Sequence, residues 1–212
     1  MLIRVSALVD LAAQLNCIDE PLVARWDSVD QCFQSWVAQP DLRVKLRNHL
    51  LELPADEAAA VINRSRETTT HFAWCVRDRP EEPFTFWLHE YKPQRDWRRG
   101  YADSVHNHRY HFCTTIVRGG YVHERYTADI DPATEMIASA ALTTSTPCET
   151  GAVAMLLASE FHRIPLAIDT TVTFLVKSRE VTSWSLSYDP GTQSSHRHIP
   201  VESRLDELAE RI

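Results

Sequence analysis

The sequence predicts an α+β chain, mainly β, in which a helical cap precedes an antiparallel barrel or double-sheet jelly roll. Three observations carry that expectation. The hydrophobic period is helical up to about residue 66 and becomes two from about residue 67. Some eight or nine short runs rich in β-branched and aromatic residues follow, mostly bounded by Pro, Gly, Asp or Ser. Helical and extended stretches are segregated along the chain instead of alternating as in a parallel sheet. So many short strands need closure or a second sheet to limit exposed edges.

The elements follow in order. Leu8, Leu11, Ala12 and Leu15 share one helical face. Leu22, Trp26, Val29, Phe33, Trp36 and Val37 repeat an i, i+3, i+4, i+7 pattern that Pro40 ends. Pro54 separates two shorter helices expected over 41–52 and 55–64. The extended runs begin with "TTTHFAWCV" and "PFTFWLHEY" and end with "TVTFLVKS" and "VTSWSLSY". Gly119–Gly120, two of five glycines, mark a tight turn. If that turn is a hairpin pairing Arg118 with Tyr121, Glu124 lies opposite Thr115. The tail "PVESRLDELAERI" reads as a short charged helix. The expected division is a cap over 1–66, a barrel over 67–200 and a C-terminal helix over 201–212.

Composition narrows the function. With 212 residues, 44 % of them apolar, the chain can bury a substantial core. A net charge of −7 argues against nucleic acid as a partner. No apolar run is long enough to cross a membrane, and Arg4 and Asp10 interrupt the N-terminal run too early for a signal peptide. Five cysteines without a C-x-x-C pair suggest reduced thiols in a cytosol.

The chemistry concentrates in "DSVHNHRYHFCTTIVRGGYVHERY", which holds His106 and His108. On an extended strand, residues two apart project from one face, so both imidazoles can converge on one ion. His162, in "SEFHRIPL", is the best third ligand. Three imidazoles suit Fe, Cu, Zn or Ni better than Ca or Mg. Three protein ligands leave positions open for substrate, as in catalytic sites.

The motif His106-Asn107-His108, Gly119 behind it, and the later Phe161-His162-Arg163-Ile164 resemble the two motifs of the cupin superfamily. That family's usual glutamate ligand is missing, because His111 and Phe112 stand there. The departure resembles the thiol dioxygenases of the cysteine dioxygenase type, over about residues 84 to 178. The resemblance implies a cupin barrel, an Fe(II) site on His106, His108 and His162, and a small-molecule substrate oxidised by dioxygen. It places Cys113 where related enzymes carry a Cys-Tyr cross-link, for which Tyr126 and Tyr188 are the candidate partners. It places Thr173, Leu175 and Lys177 on the substrate strand, where a relay His and a Tyr are replaced. It places Trp74 where a carboxylate-binding Arg is expected, with Arg77 and Arg79 nearby, so free cysteine is not supported as substrate.

Other candidates come from position alone. His111 could touch substrate or orient a ligand. Glu124, beside His123, could orient a ligand histidine from behind. Arg95, Arg98 and Arg99 form a basic loop able to steer an anion. A second H-x-H, His196 and His198, lies in a polar segment and is not expected to bind metal. A non-redox metal enzyme, an isomerase or lyase, and a non-catalytic binding protein are the alternatives.

Overall fold

The computed structural model of the protein describes residues 6–18, 21–200 and 204–211. Four helices come first: α1 (Ala7–Asn16), α2 (Trp26–Val37), α3 (Leu42–Leu51) and α4 (Ala55–Arg64). Ser6 caps α1, its hydroxyl accepting from the Leu8 amide. The pattern from Leu22 to Val37 is one stripe on two pieces, because Leu22–Arg25 forms a 3₁₀ turn.

Twelve strands follow among the described residues. They are β1 (Arg66–Glu67), β2 (His71–Asp78), β3 (Phe84–Tyr91), β4 (Val105–His106), β5 (Phe112–Arg118) and β6 (Gly120–Ile130). The rest are β7 (Ile137–Glu149), β8 (Val153–Leu156), β9 (Phe161–Ala167), β10 (Val172–Ser178), β11 (Ser185–Asp189) and β12 (Ser194–His198). They make two antiparallel sheets, ordered β1-β2-β3-β10-β5-β8 and β12-β11-β4-β9-β6-β7. The expected mainly-β, two-sheet jelly roll with an N-terminal helical layer is the observed architecture. The strand count exceeds the expectation for two reasons. Two-residue strands such as β1 and β4 carry no readable period, and "SSHRH" is polar yet pairs with β11 as an edge. In the tail, α5 (Leu205–Ala209) is helical; residues 201–203 and 212 lie outside the described residues.

The helices pack on the outer face of the first sheet. Alternation along β10 sends Phe174 and Val176 outward and Thr173, Leu175 and Lys177 inward. Phe174 meets Trp36 at 5.0 Å and Phe33 at 6.2 Å between ring centroids. Phe84, Phe86 and Cys113 join the same core. Helical layer and barrel wall therefore share one hydrophobic cluster.

The glycine pair does not close a hairpin. β5 and β6 belong to different sheets, so the turn carries the chain from one to the other. Gly119 has φ +81°, and a Cβ there would lie 2.4 Å from Thr171 Oγ1. That buried hydroxyl accepts from the Gly120 amide at 3.0 Å. Glu124 accordingly lies beside Ser145 and Arg163, not opposite Thr115.

Candidate metal centre

Three side chains converge, two from the second sheet and one from the segment just after β4. His106 ends β4, directly opposite His162 on β9. His108 lies beyond the ladder, in an extended segment that Asn107 fixes: its side-chain oxygen accepts from the Leu186 amide at 2.7 Å, and its amide donates to Leu186 O at 3.2 Å. The Tyr101 hydroxyl donates to Asn107 O, and its ring lies 4.5 Å from that of His106. One ligand nitrogen from each of His106, His108 and His162 lies within 4.8 Å of the others.

The hydrogen bonds behind these rings assign their nitrogens. Ser104 O can only accept, so His106 Nδ1 carries the proton at 2.9 Å and Nε2 keeps a lone pair. His162 Nδ1 lies 3.1 Å from His123 Nε2, which leaves His162 Nε2 to face His108 Nε2 at 2.9 Å. Two nitrogens each 2.0–2.1 Å from one ion and at a right angle to it would be about 2.9 Å apart. Burial favours the neutral, ligating form of every ring here. Desolvation pulls His106 down to about 4, and His108 and His162 well below the usual value. The donor set thus fits a borderline transition-metal ion.

The rings open on an interior cavity of about 60 Å³, room for on the order of four waters. Its walls include Tyr91, Tyr110, Phe112, Leu156, Ile164, Thr173 and Leu175, together with His71, His89 and His123. His71 and His89 stack at 4.2 Å. Lys177 is buried, its Nζ 3.5 Å from His89 Nε2 and 4.3 and 4.9 Å from the ring centroids of Trp87 and Tyr110.

Several expected residues lie elsewhere. Trp74 sits on the face of β2 turned from the cavity and donates to Glu90 Oε2 at 3.2 Å, because His71, Ala73 and Cys75 take the inward positions. Arg77 pairs with buried Glu82. His111 points to the helical layer: Nδ1 accepts from Ala158 N at 2.8 Å and the ring lies 5.8 Å from Trp26. Cys113 faces the helices as well, and burial pushes its thiol far up. Tyr126 donates to Glu124 at 2.7 Å and Tyr188 packs with Val105 and Leu186, so neither is placed for a cross-link to Cys113. Glu124 faces away, and it is His123 that stands behind His162. Arg98 reaches Glu67 at 3.4 Å, and Arg95 is exposed. His198 meets Ser187 at 2.7 Å, outside the triad.

Tyr101, Asn107, His71 and His89 were not singled out from the sequence. The signal for the last two was present: counted by twos, β2 and β3 each carry one imidazole on the inward face.

No protein-family model and no curated protein matches the chain. Solved structures give distant likenesses. An oxalate decarboxylase from Bacillus subtilis matches at 15 % identity and TM-score 0.38, covering 57 % of this chain and 28 % of its own. The Lactobacillus farciminis oxalate decarboxylase formate complex matches at 18 % and 0.37, covering 57 % and 31 %. An RmlC-like cupin from Desulfovibrio desulfuricans matches at 16 % and 0.32, covering 51 % and 82 %. This chain thus spans less than a third of those two decarboxylases, and likenesses this distant carry no argument about its chemistry.

Proposed function

We propose that this chain is a metal-dependent enzyme, with Fe(II) held by His106, His108 and His162, that oxidises a small chelating molecule with dioxygen. The observation that carries the reading is the triad itself: three neutral imidazoles, two of them fixed from behind by Ser104 O and His123, open on one small cavity. Bound ferrous iron would supply dioxygen activation. The chain's own residues do the rest. Asn107 and Tyr101 set the spacing of the first two ligands. Tyr91, Phe112, Leu156 and Leu175 exclude water, which limits side reactions. With no membrane-crossing helix among the described residues and five free cysteines, a reducing cytoplasm suits the protein.

A second reading keeps the site but uses the ion as a Lewis acid, in an isomerase or lyase. Lys177 favours it, since burial lowers its amine to about 7, near where a general base works best. Metal analysis of purified protein, with oxygen uptake over a panel of thiols, diketones and catechols, decides. Iron with substrate-dependent uptake supports the first reading. Turnover without oxygen, best with zinc or manganese, replaces it with the second.

A further inference from the structure

One wall of the metal cavity is a strap, residues 92–104, that runs from β3 in the first sheet to β4 in the second. Its first half is anchored. Trp97 packs on the cluster of Tyr91 and Tyr121 and donates to Lys92 O at 3.0 Å. Gln94 donates to Pro165 O at 3.2 Å and accepts from the Ala167 amide at 3.3 Å. The second half is held by polar contacts: the Arg98 amide on Thr69 O at 3.1 Å, the Tyr101 hydroxyl on Asn107 O, and the Arg163 guanidinium on Asp103.

That half contains the 3₁₀ turn Tyr101–Asp103, and the turn has open space on both sides. Ala102 lines the metal cavity. Tyr101, Asp103 and Ser104 line a separate groove of about 510 Å³, whose opposite wall is the β11–β12 hairpin. The Tyr101 ring stands between the two spaces, 4.5 Å from the His106 ring and 4.7 Å from that of His198. Arg99, Asp189 and His196 make the groove polar, so it suits small water-soluble molecules. Much of the remaining cavity wall is strand, where opening would break ladder hydrogen bonds and core packing. The turn carries no such ladder.

We propose that the groove is the entrance to the metal cavity and that the turn Tyr101–Asp103 is its gate, pivoting at Gly100 and latched by Arg163. The Arg163 Nε donates to Asp103 O at 2.7 Å, and its terminal nitrogen lies 3.8 Å from the Asp103 carboxylate. This charge-assisted contact ties the turn to β9, the strand that carries His162. Gly100 lies so close to Thr69 that a Cβ there would stand 3.0 Å from its methyl group. The absence of a side chain lets the strap turn at that point. Gating of this kind lets a site admit small molecules and still exclude water when closed.

Labelling of a thiol placed inside the cavity tests the gate on metal-free protein. Thr173→Cys places it there, because Thr173 lines the cavity and is 2 % exposed. Iodoacetamide reaches that thiol through open states, so its rate reads their population. Peptide mass spectrometry separates it from the five native cysteines, and buried Cys113, on the helical side, reports global unfolding. Adding Arg163→Met should speed labelling in the cavity at least roughly tenfold, the scale of one lost hydrogen bond to a charged group, and leave Cys113 unchanged. Thr192→Trp, which fills the groove from the hairpin, should slow it. Gln94→Ala, in the anchored half, should change little. Labelling indifferent to both Arg163→Met and Thr192→Trp, or speeded by Gln94→Ala instead, would overturn the gate. If Arg163→Met speeds both thiols together, the whole fold has loosened and Thr192→Trp decides: slowing supports the entrance, and an unchanged rate overturns it. No arm depends on the ion, so failure of the metal centre leaves this test intact.

Discussion

His123 illustrates how one side chain can matter without touching the ion. With His162 Nε2 turned to the cavity, His123 Nε2 accepts a hydrogen bond from His162 Nδ1, which fixes the tautomer and the ring plane of that imidazole. Partners of this kind are worth about 10–100-fold in metal affinity. His123→Leu should therefore weaken metal binding by that order while the fold persists, and a competition assay against a chelator reads it. Glu124→Gln should not, since Glu124 bonds Tyr126 on the other face. Protonation gives a second test at this scale. Burial holds His71 at about 3 and His106 and His123 at about 4. Below about pH 6.5 the unfolded chain takes up protons that the native protein refuses, so stability falls as pH falls, by up to about 1.4 kcal/mol per pH unit for each such histidine. Lys177 acts in the same sense between its unfolded value of 10.5 and about 7. Urea midpoints of the metal-free protein should thus drop from pH 8 to pH 5, and midpoints that stay level would contradict the burial of these groups.

At the scale of elements, strands with strong alternation were legible, and so was what they carry. "TVTFLVKS" places Thr173, Leu175 and Lys177 on one face from period alone, and the structure puts that face inward. Trp74 failed because a resemblance fixes a position along the chain but not its phase on the strand: a shift of one residue turns a side chain to the other face. The hairpin expected at Gly119–Gly120 failed for a related reason, since a glycine pair marks a sharp reversal without saying which sheet the next strand joins. The tightness of that turn is testable. Gly119→Ala adds a Cβ against Thr171 at positive φ and should cost about 1–3 kcal/mol by the usual scale of such strain, seen as a lower denaturation midpoint. No loss of stability would mean that the turn relaxes freely.

Taken whole, the molecule places its helical layer and barrel wall in one cluster through Phe33, Trp36, Phe86 and Phe174. The helix stripe and the outward face of β10 were each readable from the sequence; that they meet was not, because periodicity says which face is apolar and not what covers it. Phe174→Ala should cost about 3–5 kcal/mol, and helical and tertiary signals should still be lost in a single transition. Two separated transitions would make the cap an independent unit. The convergence of His106, His108 and His162 was legible for a physical reason, the requirement that imidazoles meeting at one point share one face. Its supporting set, His123, Asn107 and Tyr101, was not, because those contacts join strands of one sheet that lie far apart in the chain, and a loop. The measurement that tests the account most directly is metal stoichiometry by mass spectrometry on the purified wild type and on His162→Ala. The account predicts about one transition-metal ion per wild-type chain, as one three-ligand site implies, and most of it gone from His162→Ala at unchanged fold. Full occupancy in His162→Ala, or a wild-type protein that takes up no metal when iron is supplied, would contradict it.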